Sequence, residues 1–167
     1  QNIFQYFQEL ADNMNADYSS LIYPGKRWIH QSGKGLRKFG KELINDPHLA
    51  KLILFEDSNQ VFSDVSIADG ISIVFKDYNK KSDGFIYDFI AKDGKEFKDI
   101  PVKNPGNKLL IVDPRDMSIA NAIDDFVAAN KLDYINNSPA INRSLFKIES
   151  DFVEKNPSTA CVSASIP

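Results

Sequence analysis

The side chains best suited to chemistry are scarce in this chain, which has two histidines, His30 and His48, and one cysteine, Cys161. A single cysteine closes no internal disulfide, and this set is too small for a cysteine cluster or a histidine-rich metal site. His30, in a loop, and His48, just before a strand, read as ordinary surface or packing side chains. Gly33-Lys34-Gly35 is only an echo of a phosphate loop, because neither Gly-x-Gly-x-x-Gly nor Gly-x-x-x-x-Gly-Lys-Ser/Thr occurs. A Gly-x-Ser-x-Gly elbow and a His-Glu-x-x-His helix are absent as well. The neighbouring carboxylates Asp124 and Asp125 fall on a solvated helix surface. By motif, no complete enzyme is written here, and no catalytic residue is assigned.

Charge is the next signal. Lys26, Arg27, Lys34, Arg37, Lys38, Lys41 and Lys51 are interrupted by only Glu42 and Asp46, in a chain whose net charge is -3. A basic stretch in an acidic protein is either a surface for a polyanion or a solvated helix face. Position within the fold must separate the two. Mean hydropathy of -0.32 and 26% charged residues describe an ordinary soluble domain, and no apolar run approaches the ~20 residues that span a bilayer. The start at Gln1-Asn2-Ile3-Phe4 resembles neither a signal peptide nor an initiator, which suggests a piece of a longer polypeptide.

The elements that must position these groups follow from periodicity. Ile3, Phe4, Phe7, Leu10, Ala11 and Met14 recur at helical spacing, predicting an amphipathic helix over 2–15 that packs through this face. Ser19–Tyr23 is a short apolar strand stopped by Pro24-Gly25. Trp28 sits at the base of the following loop as a packing residue. Ser32 is placed to cap a helix whose apolar face is Leu36, Phe39, Leu43 and Ile44. Leu49–Phe55 and Ile71–Phe75 are nearly continuous apolar strands, as burial on both faces requires. Residues 85–90, a turn at Lys92-Asp93-Gly94 and residues 97–102 form a hairpin. Leu109–Val112 is a further expected strand, and 118–129 a helix with Ile119, Ile123, Phe126 and Val127 inward.

The connection from Ser19–Tyr23 to Leu49–Phe55 carries a helix, so those strands should be parallel. The next connection, about 15 residues without a helical pattern, is too unstructured for a crossover, so Ile71–Phe75 should return antiparallel, inserted between them. The fold class is therefore α/β: a partial Rossmann-like sheet of three strands, one antiparallel, followed by a β-meander and a helix.

These segments carry a family likeness. Ser20-Leu-Ile-Tyr-Pro-Gly-Lys-Arg-Trp28, Gly33-Lys-Gly-Leu-x-x-Phe39 and Leu43-Ile-Asn-Asp46 resemble the γ-class adenine-N6 DNA methyltransferases of type II restriction-modification systems, including forms fused to an endonuclease. Leu49-x-x-Leu-Ile-Leu-Phe-Glu-Asp-Ser58, Val61-Phe62 and Val65-x-Ile-Ala-Asp-Gly-Ile71 extend the resemblance, and Ser144–Phe152 is similar to the passage toward a target-recognition domain. The likeness is good over the first half and thin over the second. It implies that the three strands are the fifth, sixth and seventh of a methyltransferase sheet. It also implies a division into 1–80, the back half of the catalytic domain, and 81–167, a continuation or insertion leading toward target recognition.

The resemblance further implies S-adenosylmethionine as the cofactor of the whole enzyme and double-stranded DNA as its substrate, in a cytoplasmic setting. The family's glycine-bearing cofactor loop and its Asn/Asp-Pro-Pro-Tyr are absent; Asn104-Pro105-Gly106 and Asn156-Pro157-Ser158 lack the second proline and the aromatic. No cofactor is therefore expected on this piece alone, and its partner is the remainder of the methyltransferase polypeptide. Phe62 matches the family aromatic that stacks on the flipped adenine; the competing role is a hydrophobic plug over the sheet edge. Lys26, Arg27 and Lys34 are placed to meet backbone phosphates, whereas Arg37, Lys38 and Lys41 form a solvated helix face. Phe4 and Phe7 are expected in the core. The alternative function is a non-catalytic DNA-binding or specificity module.

Overall fold

In the computed structural model, residues 3–33, 35–64, 66–67 and 69–130 are described. By internal contacts the chain divides into Gln1–Ala120 and Asn121–Pro167, and the whole sheet lies in the first unit. Its elements are α1 (Ile3–Asn13), β1 (Tyr18–Pro24), α2 (Leu36–Ile44), β2 (Leu49–Phe55), β3 (Ile71–Asp77), β4 (Gly84–Ile90) and β5 (Glu96–Lys103), followed by α3 (Met117–Ala129).

The sheet has five strands in the order β1-β3-β2-β4-β5. Strand β3 lies antiparallel to both β1 and β2, with Ile22 opposite Ile73 and Ile73 opposite Ile53, so β1 and β2 run parallel. The inserted antiparallel strand expected from the helix-free connection is present. β4 pairs parallel with β2, placing the meander in the same sheet, and β5 returns antiparallel. Gly94, at φ +82°, makes that hairpin turn, its N–H bonding the Ala91 carbonyl at 3.0 Å.

One sheet face carries the core, where Tyr23, Trp28, Leu43, Leu52, Leu54, Val74, Tyr87 and Phe89 are buried. Rings of Phe4, Tyr23, Trp28 and Phe39 meet at centroid distances of 5.5 to 6.2 Å, joining α1 and α2 to β1. The Trp28 indole N–H donates to Ser72 Oγ at 2.8 Å, and that hydroxyl donates to the Gly25 carbonyl at 3.1 Å. The loop after β1 is thereby bonded to β3. Trp28 is a packing residue, as its position in the sequence suggested.

Helix α1 corrects an expectation. Phe4 packs on the core, but Ile3, Phe7, Leu10 and Met14 are exposed, while Gln5 and Gln8 are buried. The reason lies in β1 and β3. The Tyr23 hydroxyl and the Lys76 ammonium are buried there and need partners. Gln8 accepts from Tyr23 Oη at 2.5 Å, and Asp12, one turn along the same face, takes Lys76 Nζ at 2.7 Å. Lys76, only 2% exposed, also meets Asp46 Oδ2 at 2.6 Å. Tyr78 Oη donates to Asp12 at 2.6 Å, and burial, reinforced by this bond, pushes its hydroxyl pKa up to about 12. Polar complementarity sets the rotation of α1, against its apolar stripe.

Three further expectations are corrected. Ser32 does not cap α2: the N-cap is Gly35, left-handed at φ 80° with no side-chain cap bond, and Ser32 Oγ reaches only the Arg27 carbonyl at 3.4 Å. Gly33 and Gly35, both at positive φ, add a turn that carries the helix start past Ser32. Residues 109–112 form no strand; Leu110 is buried over the sheet, and the Val112 carbonyl is satisfied by Tyr87 Oη at 2.7 Å instead of a ladder partner. Helix α3 forms, but none of its residues is buried. Periodicity specified its apolar stripe without specifying what the stripe meets.

Candidate nucleic-acid interface

Because β1, β2 and β4 are parallel, their carboxyl ends lie along one rim, which is where sites gather in open α/β sheets. Three segments build it: the turn after Pro24, the loop from Glu56 to Gly70, and the turn after Ile90. The first two are joined at the backbone, the Gly25 N–H donating to the Gly70 carbonyl at 2.6 Å. Gly70 sits at φ +78°, and a Cβ there would overlap the Phe55 carbonyl oxygen. Gly70→Ala should therefore cost about 1–3 kcal/mol, read as a lower urea midpoint, with little change in slope.

Phe62 is on this rim. It follows a 3-10 turn at Ser58–Gln60, and the residue is 42% exposed. The turn has a reciprocal cap: Asp57 accepts the Asn59 N–H at 2.9 Å, and Gln60 Oε1 accepts the Asp57 N–H at 3.3 Å. The bond from Asn59 holds the Asp57 carboxyl below the usual aspartate range. The Asp57-x-x-Gln60 spacing is the sequence signal for this cap.

The cations lie beside it and are ion-paired. Lys26 Nζ is 3.7 Å from Glu56 Oε1, and Arg27 Nε is 2.8 Å from Asp69 Oδ2. Arg27 is nonetheless 65% exposed along its side chain, so a competing phosphate can reach it. Lys34 lies outside the described residues. Arg37, Lys38 and Lys41 are exposed on α2, with Lys38 Nζ 3.8 Å from Glu42, the solvated face expected of them. His30 is exposed and His48 bonds Asp46 through Nδ1 at 3.1 Å. Although the residue is exposed, partial desolvation of its ring, with Lys26 nearby, lowers the His30 pKa, which favours the neutral form. Among the described residues no group of three or more His, Cys, Asp or Glu could hold a metal ion, and no helix is long and apolar enough to cross a membrane.

In the turn from β1 toward α2, Gly25 offers no free backbone donor to a nucleoside cofactor. The Gly25 N–H is spent on Gly70, and the two cations that follow are engaged by carboxylates. What the rim offers is an exposed aromatic ring, cations already balanced by acids, and a loop secured by internal hydrogen bonds.

The fold defines a class: an open α/β sheet with an antiparallel strand inserted between parallel ones, bearing its candidate site on the carboxyl rim. Residues 1–62, from α1 to Phe62, match the family model described as Eco57I restriction-modification methylase. This stretch is similar to that family, and the match supports a DNA methyltransferase of the restriction-modification type. None of the curated proteins matches the chain.

Proposed function

We propose that the chain is the C-terminal part of the catalytic domain of an adenine-specific DNA methyltransferase. It would be a γ-class, type II restriction-modification enzyme, free-standing or fused to an endonuclease, and cytoplasmic. The observation that carries this reading is the β1-β3-β2 arrangement, of which β1 and β2 fall within the matched residues 1–62 and β3 follows them. In it, residues 1–80 are the back half of the catalytic domain and 81–167 lead toward target recognition.

The two sheet edges support a partner polypeptide. Edge strand β5 carries Glu96, Lys98, Asp99, Pro101 and Lys103, the devices that discourage further pairing. Edge strand β1, Tyr18-Ser-Ser-Leu-Ile-Tyr-Pro24, has no charge at all. An uncharged edge beside the exposed apolar stripe of α1 suits the remainder of the methyltransferase, whose parallel strand would extend the sheet through α1 as the crossover helix.

Modifying a base inside a duplex requires extruding it and holding it. Phe62 would supply the stacking surface, and Lys26, Arg27 and Lys34 would contact backbone phosphates. S-adenosylmethionine would supply the methyl group in the complete enzyme, bound by the remainder of the methyltransferase polypeptide.

Mass spectrometry of DNA digested after incubation with the protein expressed from its complete reading frame tests the proposal. N6-methyladenine should accumulate only when S-adenosylmethionine is present. Methylcytosine, or DNA binding with no methyl mark, would overturn it, the latter in favour of a specificity module. In isothermal titration the 167-residue chain should show no micromolar affinity for S-adenosylmethionine; low-micromolar binding would contradict the assignment of the cofactor site elsewhere.

A further inference from the structure

We propose that Ser58 is a positioning residue for Phe62, locking the loop that holds the ring out at the carboxyl rim. The inference rests on the reading of Phe62 as the base-stacking residue and deepens it.

An aromatic residue left 42% exposed in a loop is useful for stacking only if the loop keeps it there. A ring free to fold back must be ordered each time a base arrives, and that ordering weakens binding. Ser58 is 2% exposed, although the two residues after it are exposed. Its carbonyl accepts two backbone donors, Val61 N–H at 3.1 Å and Phe62 N–H at 2.9 Å. Its hydroxyl oxygen accepts the Ile67 N–H at 2.9 Å, from the returning limb of the loop. One residue thus fastens the departure and the return of the segment carrying Phe62.

Gln60 adds a second anchor. Its Nε2 donates to the Ala91 carbonyl at 2.8 Å, tying the same turn to the end of β4. The loop is therefore attached on both sides of Phe62 and to a neighbouring strand. Ser58→Ala leaves the backbone bonds to Val61 and Phe62 possible while deleting the acceptor for Ile67. It should loosen the returning limb without removing the ring.

The experiment is a double-mutant cycle in the complete protein, on the duplex that its own methylation mapping identifies, with the target base either paired or mismatched. Dissociation constants are measured for wild type, Ser58→Ala, Phe62→Ala and the double variant. Ser58→Ala should weaken binding about 2- to 10-fold, the range of one hydrogen bond. Ser58→Thr, which keeps the hydroxyl, should recover most of the loss. In the double variant, Ser58→Ala should add nothing to Phe62→Ala, because its effect passes through the ring. Fully additive losses, or a Ser58→Ala loss that persists without Phe62, would overturn the positioning role and leave the stacking role intact. An unchanged Phe62→Ala would remove the stacking role and this proposal with it.

Discussion

Phe62→Ala should weaken the hold of the complete enzyme on an extruded adenine by roughly 5- to 150-fold, the equivalent of losing ~1–3 kcal/mol of base stacking. The same substitution should hardly move the melting temperature, since the residue is 42% exposed and removal of its ring opens no closed cavity. A core plug would behave oppositely: a fully buried Phe costs ~3–5 kcal/mol when truncated, and tryptophan in its place overpacks. Phe62→Trp should instead retain much of the activity, because stacking tolerates the identity of the ring. A mismatched target base is already partly unstacked, so methylation by Phe62→Ala should recover in part on mismatched DNA. A large fall in melting temperature with no mismatch recovery would assign Phe62 to packing.

Lys76→Ala should produce the largest loss of stability, about 3–5 kcal/mol in urea unfolding. The ammonium is 2% exposed and lies between Asp12 and Asp46, at 2.7 and 2.6 Å, with the Tyr78 ring centroid at 5.6 Å. Its removal leaves two carboxylates facing each other beneath α1. Combining Lys76→Met with Asp12→Asn and Asp46→Asn should return much of the loss, since a buried ionic group is far less costly to delete whole than to break. If the triple variant is no more stable than Lys76→Ala, the damage comes from packing.

The same cluster predicts an acid limb. Burial opposes ionisation of Asp46, but hydrogen bonds from Lys76 and His48 outweigh it and hold the carboxyl below its ordinary value. A carboxyl depressed in the folded state stabilises the fold above the unfolded aspartate value, about 3.9, and loses that contribution as pH falls through the folded-state value. Wild-type stability should therefore fall below about pH 4, more steeply than that of Lys76→Ala.

Much of the sheet was legible because local rules and tertiary structure agree there. Leu49–Phe55 is apolar except for Lys51, and β2 is central, with β3 on one side and β4 on the other. The presence of a helix in one connection and its absence in the next decides strand direction. Lys26 and Arg27 were placed on the rim by that same topology. The carboxylates facing them were not readable, because Glu56 and Asp69 lie 30 and 42 residues farther along the sequence.

Helix α1 marks where sequence reasoning stops. Its residues determine that an amphipathic helix forms, for Ile3, Phe7, Leu10 and Met14 recur at its period. Which face docks depends on Tyr23 and Lys76, whose buried polar ends require Gln8 and Asp12. The depth of Ser58 was likewise decided only by the fold, whereas the charge-free edge at β1 follows from its residues and from the strand inserted beside it. Hydrophobic period and connection length are local properties and survive in the sequence. The partner of a buried charge is a matter of three-dimensional proximity, and only the tertiary structure supplies it.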